Sequence, residues 1–353
     1  MALEGEAAAI PGSRAPPLQS FKAFRIHEET VSGKARISAG FEQLELAALS
    51  AGDVVVRVAW SDINYKDALA ATGAGRILRR YPLVGGVDLS GTVVESADTR
   101  YATGDRVLVT GCGLSETRDG GYAEFARVAG DAVVPLPAGV TLRSAMALGT
   151  AGFTAALAIH RMEHNGQTPA QGPIVVTGAT GGVGSVAIDM LARRGYEVVA
   201  VTSKSVAADY LLALGAHSIL LRSEIDTGGK PLERARFGGA IDNVGGDLLG
   251  WLTRCTDNLG NIASIGLAGG ATLSTSVMPF ILRGVNLLGI NSAATPRATR
   301  LAVWARIATD LAPRHLDRIV TRVVKFAALP GAFQVYLDGG NTGRTLVEIG
   351  GDT

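Results

Sequence analysis

Cysteine is nearly missing: the 353 residues hold only Cys112 and Cys255. Two thiols cannot build a disulfide framework or a four-cysteine structural zinc site, so both read as buried or incidental thiols of a reducing compartment. Histidine is sparse too. His27, His160, His164, His217 and His315 form no spaced cluster and read as ordinary surface or cap residues, so no metal is expected. Charge of one sign is equally scarce: 33 Lys+Arg against 32 Asp+Glu leave a formal +1. That balance gives no general attraction to nucleic acid or to an anionic surface. No apolar run reaches the ~18–20 residues of a membrane span. Residues 1–10 lack the basic start and apolar core of a signal peptide. The expectation is a cytoplasmic protein with neither membrane nor nucleic acid as partner. Repeats are absent. The first 20 residues are rich in Ala, Gly and Pro without periodicity, and a disordered tail is expected there.

What is present is a globular composition, 47% hydrophobic and 18% charged, at a length of about two domains at ~150 residues each. Residues 54–60 (VVVRVAW), 89–95, 106–110 and 122–128 read as short β-rich strands separated by glycine or polar turns, which suggests a β-barrel-like domain. Near Thr141 the pattern changes. Residues 142–159 are compatible with helix, weakened by Gly149 and Gly152. Strands expected at 173–177, 197–201, 217–221, 240–243, 261–265 and 285–290 then alternate with helices at 183–194, 206–214 and 297–311. Such alternation predicts a doubly wound parallel sheet, and runs such as IVV and VVAV suit strands buried on both faces. Past Pro313 the chain is strand-like again and is expected to rejoin the first domain.

Gly178-Ala-Thr-Gly181-Gly182-Val183-Gly184 follows an expected strand and opens an expected helix. In that context the turn is read as a dinucleotide pyrophosphate seat, because glycine lets the backbone approach closely and the helix start offers free N–H groups. The second strand ends Thr202-Ser203-Lys204, without the acid that would bind a ribose 2′-hydroxyl. Hydroxyls and a lysine suit a 2′-phosphate, and Arg222 could add a second cation. The cofactor expected is NADP(H).

Longer motifs carry a resemblance. Residues 63–69 (INYKDAL), 87–93 (VDLSGTV), 149–155 (GTAGFTA) and 176–184 (VTGATGGVG) are similar to the zinc-independent quinone oxidoreductase branch of the medium-chain dehydrogenase/reductase superfamily. Residues 240–245 (AIDNVG), 266–269 (GLAG), 278–283 (MPFILR) and 343–347 (GRTLV) narrow this to the acrylyl-CoA reductase family. The resemblance, which runs from about Phe21 to Gly350, implies a mixed α/β fold: a GroES-like β-barrel catalytic domain over 21–145, completed by 315–353, and a Rossmann doubly wound parallel sheet over 146–314. It implies an active site between the two and a homodimer. It also implies that Tyr65, Thr154, Thr180, Val183, Asn243, Gly266, Leu267 and Asn291 join the glycine turn, Thr202, Ser203, Lys204 and Arg222 at the cofactor. Zinc-dependent relatives carry cysteine at the place of Asn64 and histidine at that of Val87, and neither residue here is a useful zinc ligand. Two departures from the family stand out: Gly85 replaces a usual proline, and Asn291 replaces a usual aspartate, the second bearing on the acyl-group preference.

The reaction implied is NADPH-dependent reduction of the double bond of a short enoyl thioester such as acrylyl-CoA. Tyr65 is the candidate proton donor, or else packs with a hydrogen-bonded hydroxyl. Asn64 is a candidate partner of carbonyl or cofactor. Asp88 is either a reacting group or a turn cap, and Lys66 and Asp67 read as a solvated pair. Arg76, Arg79 and Arg80 form a short basic cluster that could take CoA phosphates. An NADPH:quinone oxidoreductase uses the same parts and stands as the alternative. A non-catalytic NADPH-binding regulatory protein is opposed by the Asn64–Tyr65 loop, glycine turn and Lys204 together.

Overall fold

A computed structural model describes residues 20–351; the tail expected over the first 20 residues lies outside them but for Ser20. The described chain opens with a hairpin that no sequence expectation covered. β1 (Phe21–Val31) pairs antiparallel with β2 (Lys34–Leu44) across Ser32-Gly33, whose φ values are 52° and 78°. Positive φ at both turn positions matches the right-handed twist of the strands it joins. β3 (Val54–Ile63) and the short helix α1 (Tyr65–Thr72) follow. Then come β4 (Leu83–Val84), β5 (Asp88–Ser96), β6 (Arg106–Thr110), β7 (Phe125–Val128) and β8 (Val134–Pro135). β7 starts three residues later than expected, because Tyr122 bonds across to Gly85 and Phe24 instead of to β3.

Helix α2 (Leu142–His164) is broken at Gly149, with φ 51° and ψ −154°. By length and composition it is the one described helix apolar enough to cross a membrane. Here it is packed in one core cluster with Trp60, Leu108, Val134, Ile174, Val176 and Trp304. After it, β9 (Ile174–Val176), α3 (Gly182–Arg193), β10 (Val198–Thr202), α4 (Ala208–Ala213), β11 (Ser218–Leu221), β12 (Phe237–Asp242), α5 (Gly246–Cys255), β13 (Thr256–Ser264), α6 (Met278–Arg283), β14 (Asn286–Gly289) and α7 (Arg297–Ile307) succeed one another. The six strands form one parallel sheet ordered β11-β10-β9-β12-β13-β14.

Two last strands, β15 (Val320–Lys325) and β16 (Arg344–Glu348), return to the first half. β16 pairs antiparallel with β3, completing a seven-stranded sheet ordered β15-β16-β3-β5-β6-β8 with β7 also on β3. This return brings residues near 344 within reach of residues near 63, and the site depends on it.

Candidate active site

The parallel sheet reverses its order between β9 and β12, the place where an open α/β sheet leaves a crevice past its strand ends. Gly178 leaves β9 with φ 58°. A Cβ at Gly184 would sit 2.4 Å from the Gly178 carbonyl oxygen, so only glycine lets α3 start this close to the turn. Gly181 caps α3 without a side-chain bond, which leaves the first-turn N–H groups to a ligand. Across the crevice, Asn243 donates through Nδ2 to Thr177 O, while its buried Oδ1 has no partner among the described residues. A Cβ at Gly266 would lie 2.3 Å from Asn243 O, so glycine keeps the 266–267 backbone against Asn243. The glycine cradle and the orphaned acceptor fit a bound dinucleotide.

A second cluster faces the crevice from the barrel. Asp62, Asp67 and Asp88 are all buried, and so is Arg344. Asn64 binds them together: its Nδ2 donates to Asp62 Oδ1 (2.7 Å) and Asp88 Oδ2 (2.8 Å), and its Oδ1 accepts from Arg344 NH1 (3.1 Å). Both amide protons are therefore occupied. Arg344 NH2 lies 2.7 Å from Asp62 Oδ2, an ion contact off the hydrogen-bonding direction, and its Nε donates to Ala147 O. Burial pushes the Asp62 carboxyl well above its ordinary range; Arg344 opposes this, and the Asp88 and Asp67 charges add to it. Burial pulls Arg344 down, but its acidic neighbours outweigh that and hold it raised.

Asp88 accepts from Thr150 N (2.8 Å) and Thr150 Oγ1 (2.5 Å). It thus caps the second half of α2, where the helix restarts after Gly149. Expected among the reacting groups or as a cap, Asp88 occupies the cap. Asp67 corrects the solvated-pair reading. It is buried, accepts from Asn64 N (2.8 Å) and Val87 N (3.0 Å), and is pushed up to about 7, by burial first. Lys66 pairs instead with Glu116 (2.8 Å). Tyr65, the first residue of α1, is 52% exposed, and no described residue hydrogen-bonds its hydroxyl.

The segment before β16 joins the two halves of the site. Lys204 Nζ donates to Asn341 O (2.7 Å), Gly343 N donates to Thr180 O (2.8 Å), and Arg344 reaches Asn64. A Cβ at Gly182 would meet Arg344 Cδ at 3.0 Å. One short strap thus runs from the Lys204 corner past the glycine turn to the Tyr65 loop. Thr202 Oγ1 accepts from Lys204 N, Ser203 is exposed, and Arg222 donates to Ile225 O. Thr154 is buried and its hydroxyl is held by Thr150 O. Leu267 is exposed on the crevice, whereas Asn291 lines a separate pocket beside α2. Arg76 and Arg79 line a pocket of about 440 Å³ with Lys66 and Glu116. Arg80 leaves that cluster, because its guanidinium is held by Thr117 O (2.8 Å) and Ser50 Oγ (2.6 Å). Arg344 and Asp62 carry the site's geometry without having been singled out; the only sequence signal was the GRTLV stretch that contains Arg344.

A barrel and a parallel six-stranded sheet meeting at a glycine-lined crevice define a medium-chain dehydrogenase/reductase. Residues 50–138 match the alcohol dehydrogenase GroES-like domain and residues 182–309 the zinc-binding dehydrogenase family. The chain is 46% identical over 330 residues, 93% of its length and 99% of the relative's, to the acrylyl-CoA reductase AcuI of Ruegeria pomeroyi. The yhdH oxidoreductase of Salmonella enterica in complex with NADP superimposes with a TM-score of 0.88 at 45% identity, covering 93% of this chain and 99% of that one. Bacillus subtilis yhfP with NAD bound gives 0.90 at 44% identity, covering 94% and 99%. The chain belongs to the acrylyl-CoA reductase family of this superfamily. The zinc named in the broader family description does not fit these residues. Asn64 presents N–H donors, Val87 is an alkyl group, and the Arg344 guanidinium already stands among the carboxylates.

Proposed function

We propose that the chain reduces the carbon–carbon double bond of a short α,β-unsaturated acyl thioester such as acrylyl-CoA, with NADPH. The observation that carries this reading is the exposed Tyr65, next in the chain to Asn64, which Arg344 ties to the glycine turn. Bound NADPH supplies a hydride to the β-carbon. Tyr65 then gives its proton to the α-carbon or a hydrogen bond to the thioester oxygen as charge develops there. Asn64 and Asp88 act as positioning residues, since their polar groups are already paired with Asp62, Arg344 and Thr150. Gly178 and residues 180–184 would hold the pyrophosphate, and Asn243, Gly266 and Leu267 would line the nicotinamide side, with Thr154 and Asn291 completing the set carried over from the family resemblance. NADPH oxidation compared between acrylyl-CoA and small quinones tests the reading; turnover of quinones alone would replace it with the quinone reductase.

Thr202, Ser203 and Lys204, with Arg222 near, seat the 2′-phosphate. Lys204→Ala is expected to raise KM for NADPH about ten- to hundred-fold, as for a lost contact of ~1.5–3 kcal/mol to a charged group, with KM for NADH nearly unchanged. Equal losses on both cofactors would mean that the Lys204–Asn341 strap, not the phosphate, carries the effect.

CoA phosphates are read onto Arg76 and Arg79, and no longer onto Arg80. Neutralising Arg76 and Arg79 is expected to weaken acrylyl-CoA more than a CoA-free enone, and the difference should shrink in high salt. A loss of the same size on both substrates would sink the assignment.

The domain division at 145/146 and 314/315 forms part of the proposal, as do a cytoplasmic setting and a homodimer. Among the described residues β14 ends its sheet with one edge unpaired. Beside it Leu287 is 38% and Ile281 72% exposed, with Leu282 and Leu259 also exposed. An apolar patch at an open edge suits a second copy pairing β14 across a two-fold axis. Leu287→Arg should then yield a monomer in sedimentation; an unchanged sedimentation coefficient would count against this interface.

A further inference from the structure

His160 and His164, one turn apart on α2, stack their rings at 6.4 Å with planes 14° apart. Their side chains line a pocket of about 590 Å³ with Arg161, Asn291, Thr295 and Thr299. The pocket shares only Asn291 with the positions read as cofactor contacts. Leu288 faces it, whereas Leu287, one residue along the pleat, is exposed beside the unpaired edge of the sheet. The donors on its wall outnumber their present partners. Neither histidine ring has a hydrogen-bond partner among the described residues. Arg161 uses NH1 alone, on Gly289 O (2.5 Å). Asn291 has its Oδ1 on Ala294 N, and its Nδ2 has no partner among the described residues.

Among the described residues no carboxylate lines the pocket. The nearest acids, Glu163 and Asp310, are held by Arg306 and Arg194. Two acids are matched there by two arginines, so Arg161 is left uncompensated. Burial, Arg306 and His164 hold His160 below its ordinary range, with Glu163 and Asp310 opposing. With one uncompensated arginine and no described carboxylate, such a wall disfavours a cation and suits an acceptor-rich anion. We infer that this pocket binds a tetrahedral oxyanion, a phosphate or phosphate monoester, apart from the pyrophosphate seat on the glycine turn. Arg161 supplies a fixed charge, Asn291 and Thr299 supply neutral donors, and the two histidines supply charge when protonated. A bound anion favours protonated imidazole, so affinity should fall as pH rises.

Sulfate is the probe, because it keeps both negative charges from pH 6 to pH 8 and any pH dependence then belongs to the protein. Full-length protein saturated with NADP+ keeps the glycine turn covered. With five histidines in the chain, the ring signals of His160 and His164 can be assigned by NMR from single variants. Sulfate should raise the titration midpoints of these two and leave those of His27 and His217 in place. Its affinity should be about tenfold or more higher at pH 6 than at pH 8. His160→Asn with His164→Asn should flatten that dependence, and Arg161→Gln should weaken binding about tenfold at both pH values. CoA and inorganic phosphate then identify the source. If CoA shifts the same signals at lower concentration, the ligand is a substrate phosphate; if only the free ion does, it is free phosphate. Immobile histidine signals, sulfate affinity unaffected by Arg161→Gln, or tight chelation of Zn²⁺ by the histidine pair would each overturn the assignment.

Discussion

Tyr65→Phe is expected to lower kcat for acrylyl-CoA by about 10²-fold or more, the usual cost of removing a general acid or an oxyanion donor. KM for NADPH and thermal stability should stay near wild type. The structure makes this substitution clean. The backbone of Tyr65 is fixed by its neighbours, with Asp67 accepting from Asn64 N and Asn64 anchored to Asp62, Asp88 and Arg344. None of these contacts involves the phenol, so Phe keeps the helix start and the ring while losing one O–H. Tyr65→Ala separates the two roles of the side chain, because losing the ring should also raise KM for NADPH. If water delivers the proton, Phe should be nearly silent. A Phe variant within about threefold of wild type would remove the acid role, since threefold is only ~0.65 kcal/mol of barrier.

Parts of this site could be read along the chain, and others needed the fold. The glycine turn was legible because its chemistry is local: a strand, a close backbone turn and a helix start lie within a dozen residues. β6 fell on its expected residues because VLV between turns has few other uses. The hairpin β1–β2 gave no such signal, since β2 is mostly half-exposed and lacks sharp alternation. α5 was missed for the opposite reason. Nearly all its residues are buried, so no polar stripe marks a helical period. The Asp62–Asn64–Arg344 bridge joins positions 280 residues apart, and nothing local in GRTLV says that its arginine turns inward. Asp67 misled because an acid after a lysine usually sits in water. Here it closes the first turn of α1 and holds Val87 N, and both tasks require burial. His160 and His164 are four apart, yet only the packing of α2 against the loop after β14 makes their shared face a pocket wall.

Gly149→Ala should be among the most destabilising single changes in the chain. The residue sits where α2 breaks, at φ 51° and ψ −154°, a conformation that side chains rarely adopt. Imposing it on alanine costs ~1–3 kcal/mol. The new methyl would also lie 1.9 Å from Asp62 Oδ2, 2.6 Å from Arg344 NH2 and 2.9 Å from Asp88 Oδ2. These are side-chain ends, but they cannot retreat, because each is buried and tied into the same network. Overpacking of that kind adds ~1–3 kcal/mol. A total loss of about 4 kcal/mol is expected, read as a fall in denaturation midpoint without a change of slope. Gly40→Ala serves as the control, since its φ is ordinary and a Cβ there meets nothing within 4 Å. The clash with Asp62 can be isolated further. Asp62→Ala alone leaves Arg344 buried without its ion partner, at a cost of ~3–5 kcal/mol. In the double variant the methyl gains the space that the carboxylate vacates, so the two losses should sum to more than the measured loss. Strict additivity would leave the strain of Gly149→Ala to the backbone and to the contacts with Arg344 and Asp88, and a Gly149→Ala protein as stable as wild type would contradict the break in α2 itself.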